Sequence, residues 1–155
     1  MSLSEDEMMP CASALGYPSK KMSLRESMMR KAVKAEEKLP FESLFFDGSF
    51  DTPLTEEKAG AFAEPLRMVR LAPSAINTQP WRAVVKDDVV HFYLKRSSGF
   101  GNYETLDMQT IDMGIALCHF DLATRELGLK LRFAEEDPKI SHGDGTVYIA
   151  SYRID

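Results

Sequence analysis

Apolar residues recur every three or four positions in two long stretches of the chain, which is the spacing of a helix with one buried face. Residues 52–73 predict a helix that Thr55 caps and Pro65 bends. Residues 107–128 predict a longer helix that begins at the capping residue Asp107 and ends at Gly128. Its predicted buried face includes Ile111, Ile115, Cys118 and Leu122.

A third helix is predicted nearer the start of the chain, from a capping signal. Ser23 and Glu26 match a capping box, in which the hydroxyl and the carboxylate each bind a free backbone N–H group. The predicted helix runs from Leu24 to Lys38 and stops before Pro40. Residues 19–38 contain seven Lys or Arg and three Glu, so this segment should attract anions modestly.

Runs of β-branched and aromatic residues predict the strands of a sheet. Residues 81–96 predict a hairpin whose strands flank a charged turn, and residues 129–136 and 146–154 predict two further strands. Residues 7–19 predict a strand that ends in a turn at Gly16. The predicted fold is therefore α+β, with helices packed on a mainly antiparallel sheet.

Four phenylalanines lie in residues 41–50, a stretch that otherwise has the composition of a loop. They are Phe41, Phe45, Phe46 and Phe50. Because so much aromatic area would form a large exposed patch, this loop is predicted to pack on the protein's own core or on a partner.

The composition is that of a soluble globular protein, with 155 residues, of which 44% are hydrophobic and 28% are charged. The formal net charge of −5 argues against a nucleic-acid or anionic-membrane surface. The opening residues lack a secretory signal and no apolar run is long enough for a bilayer, so a cytoplasmic protein is expected. Cys11 and Cys118 lie far apart and are expected to be reduced core residues.

Most signatures of catalytic or metal chemistry are absent from the sequence. His91, His119 and His142 do not have the spacing of metal ligands, and there is no phosphate-binding loop or nucleophile elbow. Asp107 and Asp112 are five residues apart on one predicted helix, so they face different directions. A helix cap and a solvent contact are the expected roles of these two carboxylates.

The stretch APSAINTQPW, residues 72–81, joins a predicted helix to a predicted strand. Small residues after Pro73 would let the main chain approach a flat ring or a phosphate, and Ser74 and Asn77 could supply directional hydrogen bonds. Gln79 is expected to tie the loop to itself, and the tryptophan that follows is expected to lock it into the core. From the residues alone, a helix C-cap and a turn are the favoured roles of Ser74 and Asn77.

This stretch resembles the A-P-S-x-x-N-x-Q-P-W element of flavin-dependent nitroreductases. DMGIALCHFDLATRELGLK, residues 112–130, resembles the central helix of that family, and LGYP with the basic residues after it resembles a segment near the carboxyl end of a nitroreductase domain. The arrangement is most similar to the TM nitroreductase subgroup, whose single chains contain two related halves. The resemblance implies that residues 1–40 are the tail of a first half-domain and that residues 41–155 form a nitroreductase-like second half-domain.

The resemblance also implies a function. The expected protein is an FMN-dependent oxidoreductase that takes electrons from NAD(P)H and reduces nitroaromatic or quinone-like small molecules. No side chain is assigned a catalytic role and no metal is expected. The implied cofactor-binding residues are Pro73, Ser74, Asn77 and Gln79 of the loop, and Lys20, Lys21 and Arg25 of the basic segment.

One part of the family's pattern is missing, because no R-S-x-R element for the flavin phosphate occurs in this sequence. The alternative interpretation is therefore a non-catalytic half-domain that acts as a dimerisation or flavin-binding module. In this family FMN lies between two subunits or two halves. The resemblance accordingly implies a homodimer, or pairing with a separate first-half chain.

Overall fold

A computed structural model gives the fold of the described part of the chain, which is residues 9, 15–17, 19–97, 107–134 and 137–154. Its helices are α1 (Leu24–Ala32), α2 (Phe41–Leu44), α3 (Ala63–Leu71) and α4 (Met108–Glu126). Its strands are β1 (Phe45–Asp47), β2 (Trp81–Lys86), β3 (Val89–Lys95), β4 (Leu131–Ala134) and β5 (Thr146–Ile154). Two single 3-10 turns, Gly60–Phe62 and Ala75–Asn77, lie on either side of α3.

The five strands form one sheet in the order β1-β2-β3-β5-β4. β1 pairs with β2 in parallel, and the other three pairs are antiparallel. The predicted α+β fold with a mainly antiparallel sheet is thus confirmed. The predicted hairpin is also present, and Asp87 in its turn has a φ of 53°, a left-handed conformation that short polar side chains tolerate better than most.

The core lies between one face of the sheet and the helices α3 and α4. Phe120 of α4 contacts Phe92 of β3 and Tyr152 of β5, with ring centroids 5.0 and 5.3 Å apart. Leu66 of α3 and Trp81 of β2 are fully buried in the same cluster. Full burial of a large apolar side chain contributes roughly 1.5–3 kcal/mol, so this cluster holds the helices on the sheet.

Two predicted helices are shorter than their sequence patterns indicated. α1 ends at Ala32 instead of Lys38, and the chain continues as turns. The second predicted helix becomes α-helical only at Ala63, after turns and the first 3-10 turn. Pro65 therefore lies in the first turn of α3, where its missing N–H group would have no helical acceptor, and it does not bend the helix.

The buried face predicted for α4 was wrong in part. Ile115 is half-buried and packs against the core, but Cys118 and Leu122 are exposed, and the helix buries Met113, Ala116 and Phe120 against the sheet. The expectation that Cys118 is a core residue is wrong for the same reason, and Cys11 lies outside the described residues. Apolar residues occur on two sides of this helix, so their spacing alone does not say which side packs inward.

The phenylalanine-rich stretch is not a loop. Its first residues form the single helical turn α2, and the next form β1 along β2. Phe41 and Phe45 are buried, and their rings pack edge to face with centroids 4.6 Å apart. Of the two predicted destinations, the protein's own core is the one that this segment occupies.

The remaining strand predictions have mixed outcomes. β5 has the predicted bounds of 146–154, and β4 occupies Leu131–Ala134 within the predicted 129–136. The strand predicted over residues 7–19 falls mainly outside the described residues. Within the described part of the chain, no helix is long and apolar enough to cross a membrane.

The carboxylate of Asp107 caps the N-terminus of α4. Its side chain accepts hydrogen bonds from the backbone N–H groups of Gln109 and Thr110, as the predicted cap requires. Arg96 donates to the same carboxylate at 2.6 Å and is the main cause that lowers the pKa of Asp107 to about 2. A lowered folded-state pKa stabilises the fold above the ordinary value of 3.8, and this contribution disappears as the pH falls towards 2.

We expect Asp107→Ala to lower the free energy of unfolding by about 1 kcal/mol at neutral pH, because the cap is lost. Asp107→Asn keeps a capping oxygen but cannot titrate, so it should lose less at neutral pH and lack this part of the acid sensitivity. Urea unfolding across the acid range measures both effects. Equal acid sensitivity in the wild type and Asp107→Asn would contradict the role of this carboxylate.

Candidate functional site

The loop between α3 and β2 has a strained backbone. Ile76, Asn77 and Gln79 have φ angles of 42°, 59° and 48°, so three of four consecutive residues occupy the left-handed region without being glycine. Such a conformation costs on the order of 1 kcal/mol or more per residue and persists only where the surroundings impose it. A loop of this kind is a candidate functional element, and its hydrogen bonds show what imposes its conformation.

Asp112 of α4 holds the start of the loop. Both of its carboxylate oxygens accept a hydrogen bond from the backbone N–H of Ala75, at 3.0 and 3.1 Å. Within the loop, the Ser74 hydroxyl accepts the backbone N–H of Gln79 at 2.9 Å. These contacts fix the loop against the first turns of α4 and close it on itself.

The predicted role of Asp112 as a solvent contact is wrong, since its side chain is buried. Burial raises the pKa of this carboxyl, the hydrogen bond from Ala75 lowers it, and the nearby Asp107 raises it further, so that the net direction is upward. Sequence reasoning missed this residue because its partner is a backbone amide 37 positions away, which no side-chain motif reveals.

The amide side chains of the loop bind the segment that follows α1. Asn77 donates from Nδ2 to the carbonyl oxygens of Lys34 and Glu37, each at 2.7 Å. Gln79 accepts the backbone N–H of Leu39 at 2.9 Å and donates to the Glu37 carbonyl at 3.2 Å. A weaker bond of 3.4 Å from Gln79 to the Asn77 carbonyl ties the loop to itself, as its sequence suggested.

Two basic side chains complete this junction, and neither was predicted. Lys38 donates from Nζ to the Ala72 carbonyl at 2.7 Å, and Arg70 donates from Nε to the Leu39 carbonyl at 2.7 Å. Burial, and then repulsion from Arg70, lowers the pKa of Lys38. Both residues act on backbone carbonyls, so a sequence motif could not have identified them.

The end of the loop is anchored in the core. Trp81 is fully buried, which agrees with its predicted supporting position. Its neighbour Arg82 is largely buried as well and donates from Nη1 to the carbonyl oxygens of Gln79 and Trp81, at 2.9 and 2.6 Å. Burial lowers the pKa of this guanidinium.

A cavity of about 390 Å³ lies between the loop and α1. Ile76, at the tip of the loop and 60% exposed, forms one wall, and Met29 and Val33 contribute apolar surface from the opposite side. The polar part of the lining consists of Ser23, Arg25, Glu26 and Arg30. Two guanidinium groups against one carboxylate leave a net positive charge, so this partly apolar space suits a flat ligand that carries an anionic group.

The structure brings only some of the predicted site residues together. Ser74, Asn77 and Gln79 form the hydrogen-bonded body of the loop, and Pro73 is exposed at its start. Arg25 faces the cavity beside the loop tip. The two remaining predicted residues, Lys20 and Lys21, are exposed and are not among the described residues that line this cavity.

Comparison with known proteins places the chain in a family. The chain matches the family model described as "Putative TM nitroreductase" over residues 1–124, and it therefore belongs to this nitroreductase family. A solved crystal structure, described as a "putative nitroreductase" from Thermotoga maritima, is similar with 20% sequence identity and a TM-score of 0.45. That match covers 76% of this chain and 41% of the Thermotoga chain, so this chain spans less than half of that protein's length. Comparison with curated proteins gave no match.

Removal of the Asp112 carboxylate should release the loop. Asp112→Ala leaves the Ala75 N–H without its acceptor, so we expect a loss of about 1–3 kcal/mol in the free energy of unfolding and faster amide hydrogen exchange in residues 74–79. Asp121→Ala is the matched control, because Asp121 lies on the same helix and pairs with Arg125 at the surface. That variant should lose less than about 1 kcal/mol. Equal exchange in the loop of both variants would contradict the role of Asp112.

Substitutions of Asn77 separate its hydrogen bonds from its backbone strain. Asn77→Ala and Asn77→Gly both lose the bonds to the Lys34 and Glu37 carbonyls, so both should loosen the segment after α1. Both replacements must adopt the left-handed φ of 59°, but this conformation costs alanine roughly 1 kcal/mol more than it costs glycine. Urea unfolding should rank the wild type above Asn77→Gly and Asn77→Gly above Asn77→Ala. The reverse order of the two variants would show that this conformation is not imposed in solution.

Proposed function

We propose that the protein is an FMN-dependent oxidoreductase that reduces nitroaromatic or quinone-like small molecules with NAD(P)H. Membership of the nitroreductase family supports this function. When bound, the flavin would supply the redox chemistry, by accepting a hydride and passing electrons to the acceptor. The residues of the chain would bind and orient the flavin and keep water from it, and none of them is assigned as an acid or a base.

The observation that carries the proposal is the strained tip of the loop beside the cavity. Ile76 and Asn77 are held in the left-handed region, and Ile76 forms a wall of the apolar space. Backbone strain of this kind concentrates at ligand sites, where it keeps a binding surface in one conformation. The wall formed by Ile76, Met29 and Val33 is of the kind that a flavin ring system would contact.

The loop retains polar groups that fit a flavin, although much of its hydrogen-bonding capacity is used internally. The Ser74 hydroxyl accepts one bond and can still donate its own hydrogen. Asn77 uses its amide nitrogen for two carbonyl groups, which leaves its Oδ1 as an acceptor for a ligand N–H group. Pro73 and Gln79 would act by shaping the loop.

The basic segment is the proposed partner of the flavin phosphate. Arg25 lines the cavity and forms no ion pair within the described part of the chain. The Arg30 guanidinium lies 3.5 Å from the Glu36 carboxylate, and its side chain is about half exposed. Lys20 and Lys21 precede this helix and would add positive charge at its start. These groups would replace the missing R-S-x-R element, because a phosphate dianion needs charged donors when it leaves water.

We further propose that the working form is a homodimer, or a pair with a separate first-half chain. The cavity beside α1 is open on its outer side, and a second subunit would cover the bound flavin. Leu122 and Leu127 at the end of α4 are 56% and 51% exposed, which supplies apolar surface for such a contact.

FMN retention tests the proposal. Purified protein mixed with FMN and then desalted should keep the flavin absorbance band, and it should oxidise NADH or NADPH when a nitroaromatic or a quinone is added. Arg25→Gln should weaken FMN binding by about tenfold, because a charge-assisted contact to the phosphate is lost. Lys31→Gln, which removes one charge from the same helix outside this cavity, is the matched control and should bind FMN normally.

The outcomes distinguish the two interpretations. Equal FMN affinity in Arg25→Gln and Lys31→Gln would mean that the phosphate is bound elsewhere. A protein that stays colourless at high FMN concentration, although it dimerises in sedimentation experiments, would favour the non-catalytic half-domain. In that case the loop would serve only to connect α3, α4 and the segment after α1.

A further inference from the structure

A second cavity, of about 530 Å³, lies on a different part of the protein. Phe92 and Tyr152 point from β3 and β5 towards α4. Their neighbours His91 and Ser151 must face the opposite side of the sheet, since side chains alternate along a strand. The cavity opens on this opposite face, and none of its lining residues belongs to the cavity beside the loop.

The inner part of this cavity is polar and ordered. His91 and Ser151 are opposite each other in the register of β3 and β5, and both are more than nine-tenths buried. The His91 Nδ1 and Ser151 Oγ atoms lie 2.7 Å apart, and Ser151 Oγ lies 2.9 Å from the hydroxyl of Tyr148. This network places a hydroxyl and an imidazole together at the inner end of the cavity.

The outer part of the cavity is mainly cationic. Lys86, Arg132 and Arg153 come from three different strands, and the acid among the described lining residues is Asp87. Arg132 is already engaged in other interactions. Lys86 and Arg153 are exposed and form no ion pair within the described part of the chain, so two cations are available in a protein of net charge −5.

We propose that this cavity binds the phosphoryl group of a small molecule. A phosphate monoester carries close to two negative charges at neutral pH, which Arg153 and Lys86 match. The Arg153 guanidinium can donate two parallel hydrogen bonds to phosphate oxygens, and Lys86 adds a point charge at the turn of the hairpin. The volume exceeds what a phosphate alone requires, so the rest of the small molecule would lie over His91 and Pro138.

Ligand-induced thermal stabilisation tests this proposal on the wild-type chain. Inorganic phosphate and ribose 5-phosphate are the probes, with sodium chloride at the same ionic strength as the reference. Both phosphates should raise the unfolding temperature in a saturable manner, because a ligand of the folded state stabilises it. Tighter binding of ribose 5-phosphate would identify a phosphorylated metabolite as the natural class, and tighter binding of inorganic phosphate would identify the free anion.

Variants that remove one positive charge distinguish binding at this cavity from general ionic screening. Arg153→Gln and Lys86→Gln, both at the cavity, should each raise the dissociation constant for phosphate by about tenfold. Lys95→Gln is the matched control, because Lys95 is an exposed cation at the far end of β3. Equal responses of the cavity variants and Lys95→Gln, or no stabilisation beyond that of chloride, would overturn the proposal. Arg153→Gln should leave FMN affinity unchanged, so the two proposals fail independently.

Discussion

The contact between Asp112 and the backbone of Ala75 is the constraint on which the candidate site depends. A buried carboxylate is stable only where donors satisfy it, and here one backbone N–H approaches both of its oxygens. The contact joins α4, which is fixed in the core by Phe120, to a loop in which Ile76, Asn77 and Gln79 have left-handed backbone conformations. The rigidity of the helical core is thereby passed to a strained surface loop.

The loop in turn positions the chain that precedes it. Asn77 and Gln79 bind the carbonyl and amide groups of residues 34–39. The position of this segment determines where α1, which directly precedes it, lies. α1 buries no residue of its own, so its place beside Ile76 depends on this junction more than on packing. The cavity beside the loop therefore depends on these hydrogen bonds together with the contact of Asp112. The proposed FMN site and the position of α1 cannot vary independently.

Sequence reasoning recovered the features that local patterns determine. The hairpin, β5 and the Asp107 cap are each specified by residues close together in the chain, and each is present. The buried side of α4 depends instead on which apolar residues meet Phe92 and Tyr152, which no window of sequence contains. The same limit explains Asp112 and Lys38, whose partners are distant backbone groups. The motif of the loop could be found because the residues that form it are adjacent in the chain.

The internal hydrogen bonds of the loop bear on how it could bind a ligand. Because Ser74, Asn77 and Gln79 each form hydrogen bonds within the chain, the loop does not need a ligand to hold its shape. Binding of a ligand would then cost little free energy for ordering the site. Its affinity would come from contacts with the apolar cavity wall and from the unused donors and acceptors of the loop. The cost that remains is transfer of the phosphate dianion from water, which the basic segment must offset. The positive charge of that segment, in a chain of net charge −5, is consequently the property on which flavin binding would depend most.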